Sequence, residues 1–158
     1  MTFIDNAPAR KHLPHPAPLR SVNHPTILFV TMCVKERRSL LNTSEAHGLL
    51  MNAWHQADRW HVGRYVIMPD HIHFFCAPGD ETTPFKEWVL FWRNTTTHAW
   101  PVVGQKPLWQ RDYWDRQLRR EEGYHEKWEY VRHNPVRAGL AMKPEDWPYQ
   151  GELNVLRW

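Results

Sequence analysis

The chain has 158 residues, and 20 Lys and Arg against 17 Asp and Glu give a formal net charge of 20 − 17 = +3. One compact domain is expected, because a chain of this length can bury a core without disulfides or structural zinc. Hydrophobic residues at 42% and charged residues at 23% exclude a disordered chain. No apolar run approaches the roughly 20 residues of a bilayer-spanning helix, so we expect no transmembrane segment. Cys33 and Cys76 lie in apolar segments, which predicts buried reduced thiols and a cytoplasmic location.

The first third of the chain predicts an arm, a strand and a helix. Residues 1–25 are rich in proline and lack an apolar stretch, which favours an irregular N-terminal arm over an export signal. Residues 26–34 are almost continuously apolar and include β-branched side chains, which predicts a strand covered on both faces. Thr43 or Ser44 can cap the amphipathic helix that follows, and this helix is predicted to end near Gly63.

The middle of the chain predicts a hairpin and a second helix. Residues 64–68 and 71–76 are rich in β-formers and are separated by a short turn, which is typical of a hairpin. Thr83 followed by Pro84 indicates a helix start, since proline is favoured at the first helical position. Residues 101–107 are predicted to form a loop.

The last third completes the predicted topology. Residues 108–114 predict a weak strand, and a helix from about Glu121 is expected to stop just before Pro135, which disfavours helical geometry in its predecessor. The resulting order of strands and helices is that of a ferredoxin-like, split βαβ, α+β fold. Its antiparallel sheet carries helices on one face, with an added C-terminal helix. We therefore expect a single domain over residues 26–150, with residues 151–158 as a tail over the surface.

Two histidines are the first candidates for chemistry. His71 and His73 lie two residues apart on a predicted strand, so both side chains project from one face and Ile72 projects from the other. Two imidazoles in this arrangement can bind one divalent metal ion. A His-x-His pair also arises readily by chance in a chain with 11 histidines, so two ordinary core or surface histidines remain the alternative.

The helix predicted before Pro135 presents two different faces. Tyr124, Trp128 and Val131 form an apolar face, whereas Lys127, Tyr130 and Asn134 share another face at spacings of three and four. A tyrosine packed with its hydroxyl at the rim, and an asparagine that simply terminates the helix, are the structural alternatives.

A paired histidine site and an accessible tyrosine are the parts needed for tyrosine-mediated phosphoryl transfer. A tyrosine with a pKa near 10 is only about 0.1% ionised at neutral pH, so the phosphate has to be polarised. A metal ion on His71 and His73 can supply that polarisation as a Lewis acid. Asn134 is the first candidate for the third ligand, with Glu126 and His133 as rivals.

Several runs of the sequence resemble one known family. IMPDHIHFFCAP is similar to the histidine, hydrophobic, histidine (HUH) strand of single-tyrosine transposases. LWQRDYWDRQLR, EYVRHNPVRAGL and EDWPY are similar to the REP-associated tyrosine transposases, and the resemblance extends over residues 26–149. It implies Tyr130 as nucleophile and His71, His73 and Asn134 as ligands of one Mg²⁺ or Mn²⁺ ion.

The resemblance also implies a substrate and an assembly. Members of the family cut and rejoin single-stranded DNA around palindromic hairpins through a 5′-phosphotyrosine intermediate, so we expect DNA hairpins as partners and an association with the nucleoid. A monomer is expected on the same ground, and a dimer is the alternative.

Basic and aromatic side chains are the candidates for DNA contacts, since cations bind phosphates and aromatic rings stack on unpaired bases. These candidates are Arg93, Arg111, Arg116, Arg119, Arg120, Lys127, Arg132, Arg137, Trp109 and Trp114. A solvated basic surface and a tryptophan core are their structural alternatives.

Other interpretations remain open at this point. Tyr113 is a competing nucleophile, and Asp70 either forms the turn or orients an imidazole. A noncatalytic nucleic-acid-binding module and a metal-dependent hydrolase that uses water are the alternative functions.

Overall fold

The computed structural model describes residues 26–79, 82–119 and 123–157, so the expected N-terminal arm and Arg120 lie outside the described residues. Nine helices and strands make up this described part. They are β1 (Leu28–Cys33), α1 (Ser44–Gln56), β2 (Trp60–Ile67), β3 (His71–Pro78), α2 (Phe85–Ala99), β4 (Trp114–Gln117), α3 (Tyr124–Arg132), α4 (Asn134–Arg137) and β5 (Gln150–Glu152). Within these ranges no helix has both the length and the apolar character needed to cross a bilayer.

The strands form one antiparallel sheet in the order β4-β1-β3-β2-β5. β3 therefore lies at the centre, between β1 and its hairpin partner β2. This arrangement confirms the α+β, ferredoxin-like fold predicted from the sequence, with β5 as an additional edge strand.

Three element boundaries differ from the predictions. The strand predicted over residues 108–114 lies later, at Trp114–Gln117, and Trp109 forms only an isolated bridge to Val34. The first helix ends at Gln56, because the β-rich residues that follow join the sheet from Trp60 onwards. The predicted surface tail instead forms β5, which pairs with β2.

The first helical layer covers one face of the sheet. Thr43 caps α1, since its Oγ1 accepts a hydrogen bond of 3.0 Å from the backbone N of Ala46. Alternate residues of β3, beginning with Ile72 and Phe74, are buried against α1 and α2, where Trp54 and Trp92 pack edge to face. The main core therefore lies between the sheet and these two helices.

The second face of the sheet is only partly covered. Phe75 of β3 packs against Tyr124 and Trp128 of α3, with ring centroids 4.7 and 6.4 Å away. Trp147 closes the same side, and its Nε1 donates a 2.9 Å hydrogen bond to the carbonyl of Ile67. Together they form a second, smaller core that fixes α3 against β2 and β3.

A close backbone approach anchors the start of α3. The Tyr124 hydroxyl accepts a 2.8 Å hydrogen bond from the backbone N of Arg64, and the Arg64 guanidinium lies 5.1 Å from the Tyr124 ring centre. The preceding Gly63 leaves room for this contact, because a Cβ there would lie 2.6 Å from the Tyr124 hydroxyl and 2.7 Å from Leu156. The absence of a side chain at Gly63 thus positions the helix that carries Tyr130.

We expect Gly63→Ala to lower the free energy of unfolding by about 1–3 kcal/mol, since backbone and core side chains have to shift to admit the methyl group. Chemical denaturation followed by circular dichroism measures this change. Gly48→Ala is the matched control, because Gly48 is exposed in α1 with open space around it. It should stabilise the helix by about 0.5–1 kcal/mol. Equal effects of the two substitutions would contradict the proposed close packing.

Candidate active site

His71 and His73 project from the face of β3 that α3 partly covers. Their ring centroids are 4.8 Å apart with an interplanar angle of 81°, and the two residues are only 2% and 8% exposed. The predicted placement on one face is therefore observed, and both imidazoles lie in a desolvated environment.

Asp70 orients the ring of His71. The Nδ1 of His71 lies 2.7 Å from Oδ1 of Asp70, and an ionised carboxylate can only accept, so Nδ1 carries the proton and donates. The other oxygen, Oδ2, accepts a 3.1 Å hydrogen bond from Nε of Arg37. Burial by itself raises the pKa of Asp70, but the His71 hydrogen bond and the Arg37 charge outweigh it and hold this pKa below its ordinary value. Nε2 of His71 thereby keeps a lone pair that is able to bind a metal ion.

The turn after β1 holds Arg37 in this position at a conformational cost. Arg37 and Glu36 have φ angles of 54° and 59°, in the left-handed region that non-glycine residues rarely adopt. Such strain persists where surrounding contacts fix it, and here the ion pair with Asp70 is such a contact.

His73 is held by β1. Its Nδ1 lies 2.8 Å from the hydroxyl of Thr31, and Phe29 stacks on the ring at 5.5 Å with an interplanar angle of 17°. Burial lowers the pKa of His73 well below its ordinary value, and nearby positive groups lower it further. These groups are His71, Lys127, Arg137 and Arg37. His73 is therefore neutral at neutral pH, which is the form that binds a metal ion.

Tyr130 lies in the last turn of α3 and is 51% exposed. Lys127 connects it to the histidine face, because its Nζ lies 5.7 Å from the Tyr130 ring centre and 4.8 Å from that of Phe29, which stacks on His73. The Arg137 guanidinium also lies close to this ring, 4.2 Å from its centre. Two cations thus contact an accessible phenol near the histidine pair.

Asn134 lies at a break between two helices. α3 ends at Arg132 and α4 begins at Asn134, so the predicted stop before Pro135 becomes a junction at His133. Asn134 is 8% exposed, and its Oδ1 accepts a hydrogen bond from the Arg137 guanidinium, which also donates a 2.8 Å bond to the carbonyl of Tyr130. Arg137 therefore links the amide of Asn134 to the backbone of Tyr130.

The rival third ligands do not join the histidine pair. In the described parts of the chain, no group of three His, Cys, Asp or Glu side chains is placed to hold a metal ion. Glu126 is exposed on α3, and Nδ1 of His133 bonds to the carbonyl of Glu129 at 2.7 Å. Asn134, whose ligand is an amide oxygen, remains the candidate on this helix.

Tyr113, the rival nucleophile, lies on the other side of the sheet. It packs against the main core, with its ring centre 6.0 Å from that of Phe85 on α2. Burial, followed by the charge of Asp115, raises the pKa of Tyr113 to about 12. Position and ionisation therefore both disfavour Tyr113 as the attacking group.

Two of the candidate DNA contacts are engaged in the fold. Trp109 is 4% exposed, packs edge to face on Trp92 and donates a 2.8 Å hydrogen bond to the Thr96 hydroxyl. The prediction that Trp109 stacks on a base is wrong, because neither face of its buried indole is accessible. Arg93 donates to the carbonyls of Gln110 and Arg111, the latter at 3.1 Å, and so ties α2 to the segment before β4.

The remaining candidates lie nearer the surface. Arg132 pairs with Glu129 at 3.0 Å and with Glu145 at 3.6 Å, whereas Arg111 and Arg119 are exposed. Trp114 and Arg116 are opposite Thr31 and Phe29 in the register of β4 and β1, so they share the face of the histidine pair.

Sequence reasoning missed Thr31, Phe29 and Arg37, which hold the histidines in place. The alternation of β1 contains a signal for Phe29 and Thr31, since every second residue shares a face. The register that brings them to His73 is set by pairing over more than 40 residues, and the sequence pattern does not specify it.

Comparisons with known proteins point to one class. No family model matches the chain. The chain is 26% identical over 126 residues to the REP-associated tyrosine transposase of Escherichia coli, covering 77% of this chain and 73% of that protein. It is 23% identical over 94 residues to a candidate REP-associated tyrosine transposase of Haemophilus influenzae, covering 52% and 53%.

Solved structures agree with these relatives. A REP-associated tyrosine transposase bound to a REP hairpin matches with a TM-score of 0.67 and 26% identity, over 86% of this chain and 82% of that one. A candidate transposase of Deinococcus radiodurans shares the fold, with a TM-score of 0.52 and 16% identity over 73% and 95% of the two chains. In fold and in sequence, the chain is thus similar to transposases. In particular, the chain is similar to the REP-associated tyrosine transposases, which confirms the resemblance expected from its motifs.

We expect Asp70→Asn to weaken Mn²⁺ binding by about 10–100-fold, because an amide cannot hold the His71 ring as a carboxylate does. Isothermal titration with Mn²⁺ in the absence of DNA measures the affinity. Asp58→Asn, an exposed carboxylate next to α1, is the matched control and should leave the affinity unchanged. Unchanged affinity in Asp70→Asn would contradict the orienting role.

Proposed function

We propose that this protein cuts and rejoins single-stranded DNA at hairpins through a covalent bond between Tyr130 and a 5′-phosphate. The observation that carries the proposal is the convergence of an exposed tyrosine, two cations against its ring and a buried amide near a buried pair of histidines, of which His73 is held neutral. This combination of residues is typical of an active site and not of an ordinary solvent-exposed surface.

The reaction is a transesterification that balances without water or a nucleotide. The Tyr130 hydroxyl oxygen forms a bond to phosphorus as the bond from phosphorus to the 3′ oxygen breaks. The phenolic proton is lost and the departing 3′ oxygen gains one, which leaves a free 3′-hydroxyl. Attack by a 3′-hydroxyl in the reverse direction reseals DNA and releases Tyr130, so the bond energy is conserved.

The chain offers a donor set for one divalent ion. Nε2 of His71 and of His73 and Oδ1 of Asn134 are the ligand atoms, and Nδ1 of each imidazole is already hydrogen-bonded to Asp70 or Thr31. Two imidazoles with an amide oxygen suit Mn²⁺, and Mg²⁺ suits the oxygen donors and the phosphate. When bound, the ion acts as a Lewis acid that polarises the scissile phosphate.

The side chains around Tyr130 prepare the site for a phosphate. Lys127 and Arg137 place positive charge against the phenol, near which the scissile group has to lie for attack. An amide oxygen has two lone pairs, so Asn134 can accept from Arg137 and still bind a metal ion.

The substrate class follows from the relatives and from charge. A related transposase is seen bound to a REP hairpin, and the present chain has a net charge of +3. We propose hairpin DNA with single-stranded flanks as the substrate, a nucleoid location in the cell and action as a monomer. The remaining basic candidates are proposed as phosphate contacts, namely Arg111, Arg116, Arg119, Arg120 and Arg132.

We expect Tyr130→Phe to abolish covalent capture of DNA, because phenylalanine has no nucleophilic oxygen. The assay incubates the protein with Mn²⁺ and single-stranded DNA that carries an imperfect palindrome and a label at its 3′ end, and then uses a denaturing protein gel. Tyr113→Phe is the matched control and should retain the labelled protein band, whereas His71→Ala should lose it. Cleavage that persists in Tyr130→Phe without a covalent band would establish attack by water instead. Hairpin binding without cleavage in the wild type would establish a binding module.

Arg137→Lys keeps the charge but loses the planar guanidinium, whose Nη2 donates both to Asn134 and to the Tyr130 carbonyl. We expect covalent capture to slow by about 10–100-fold, which is the scale of a charge-assisted hydrogen bond. Single-turnover kinetics with labelled DNA measure the rate. Arg132→Lys on α3 is the comparison variant: Arg132 pairs with the carboxylates of Glu129 and Glu145, and a lysine keeps its charge for a phosphate, so capture should slow less than threefold. A similar loss in both variants would argue for general phosphate attraction rather than positioning.

A further inference from the structure

We propose that the single-stranded DNA next to the scissile phosphate crosses the β4 edge of the sheet, with one unpaired base stacked on the indole of Trp114. This inference rests on the proposed function and adds the route of the substrate to it. Four side chains define the route, which we call the β4 path. They are Phe29 and Thr31 of β1 and Trp114 and Arg116 of β4.

The strand register places the β4 path beside the histidine pair. Thr31 is the direct partner of His73 on one side and of Trp114 on the other. Direct partners in antiparallel strands project to the same face, with Cβ atoms about 4.5–5.5 Å apart. Phe29 is likewise the partner of Arg116. Trp114 therefore lies two strands from His73, on the face of the sheet that carries the histidine pair.

Exposure along this face increases towards β4. His73 and Phe75 on β3 are buried, Thr31 on β1 is half-buried, and Arg116 on β4 is exposed. The half of the same face over β2 and β3 is covered by α3 and Trp147, and the second core also includes Leu118 and takes in Phe29 at the end of β1 and β4 away from the histidine pair. An extended substrate thus reaches the histidine pair across Thr31 and Trp114, where the described residues leave the face open.

The chemistry of the β4 path matches a nucleic-acid strand. Trp114 is half-buried, and in the described part of the chain no aromatic ring packs against it. Arg116 supplies positive charge at the edge, and Lys127, 4.8 Å from the Phe29 ring centre, supplies it at the inner end. The intervening Asp115 is opposite Val30, whose side chain is in the main core, so its carboxylate belongs to the other face. Aromatic rings between cations recognise unpaired bases and the backbone that joins them.

An unpaired base fits this position better than a duplex. Trp114 lies within the sheet face rather than on a protruding loop, so a base has to be splayed out of a helix to stack on it. The proposal therefore assigns the β4 path to single-stranded flanks and leaves the hairpin stem outside it.

The first experiment measures binding with no cleavage, so every protein carries Tyr130→Phe. Fluorescence anisotropy compares a DNA hairpin that has single-stranded extensions on both sides with the same hairpin lacking them. We expect Trp114→Ala to weaken binding of the extended hairpin by about tenfold and to leave the blunt hairpin unchanged. Trp114→Phe should retain most of the affinity. Phe91→Ala, which removes an exposed aromatic ring from α2 on the other side of the sheet, is the matched control and should have no effect.

A second measurement locates the stacked base. 2-Aminopurine, whose fluorescence is quenched by stacking, is placed in turn at each position of the extensions. At one position, the 2-aminopurine fluorescence should be quenched by the protein that retains Trp114 and by the Trp114→Phe variant. The fluorescence at this position should recover with the Trp114→Ala variant. Arg116→Gln should reduce the salt dependence of binding, whereas Lys86→Gln on α2 should not.

The outcomes separate this proposal from the function on which it rests. Equal losses on extended and blunt hairpins, or quenching that persists in Trp114→Ala, overturn the β4 path even if the wild type forms the covalent bond. Quenching that depends on Trp114 supports the path even if the wild type shows no cleavage. Circular dichroism verifies that each variant is folded, so that a loss of binding is not caused by unfolding.

Discussion

The two-sided burial of strand β3 is the constraint on which the rest of the structure depends. Ile72 and Phe74 enter the core under α1 and α2, so His71 and His73 have to project to the opposite face. A slip of one residue in register would place both histidines in the main core and the apolar side chains in the site. Packing of the apolar side chains on one face of the sheet therefore fixes the positions of the two histidines on the other face.

Burial and positive charge act together at the histidine pair. Desolvation disfavours a charged imidazole, and the neighbouring cations, including Lys127 and Arg137, disfavour it further, so His73 stays neutral. The same two cations lie against the ring of Tyr130. Asp70 balances part of this charge while it fixes the His71 tautomer. One electrostatic arrangement thus keeps His73 neutral and gives the surface around Tyr130 a positive charge.

Local pattern predicted much of the fold and part of the site. Alternation placed His71 and His73 on one face, and helical spacing separated the apolar face of α3 from that of Tyr130. Trp109 was misjudged because a tryptophan in a polar stretch gives no local sign that it packs on Trp92. The roles of Thr31 and Arg37 depend on strand register and on a left-handed turn, and both arise from tertiary contacts that sequence spacing does not encode.

The helix break at His133 shows why the relative position of Tyr130 and Asn134 depends on more than a helical repeat. Pro135 has no backbone N–H, so a continuous helix through this point would leave a carbonyl of the preceding turn unpaired. The chain instead starts α4 at Asn134, and the Tyr130 carbonyl accepts a long 3.4 Å bond from the backbone of His133 and a 2.8 Å bond from Arg137. Arg137 also donates a hydrogen bond to Asn134. Its side chain therefore connects Tyr130 to Asn134 across the break, as backbone hydrogen bonds connect residues four apart within a helix. Pro135 therefore excludes a continuous helix at this point, and Arg137 supplies the contact that holds Asn134 near the end of α3.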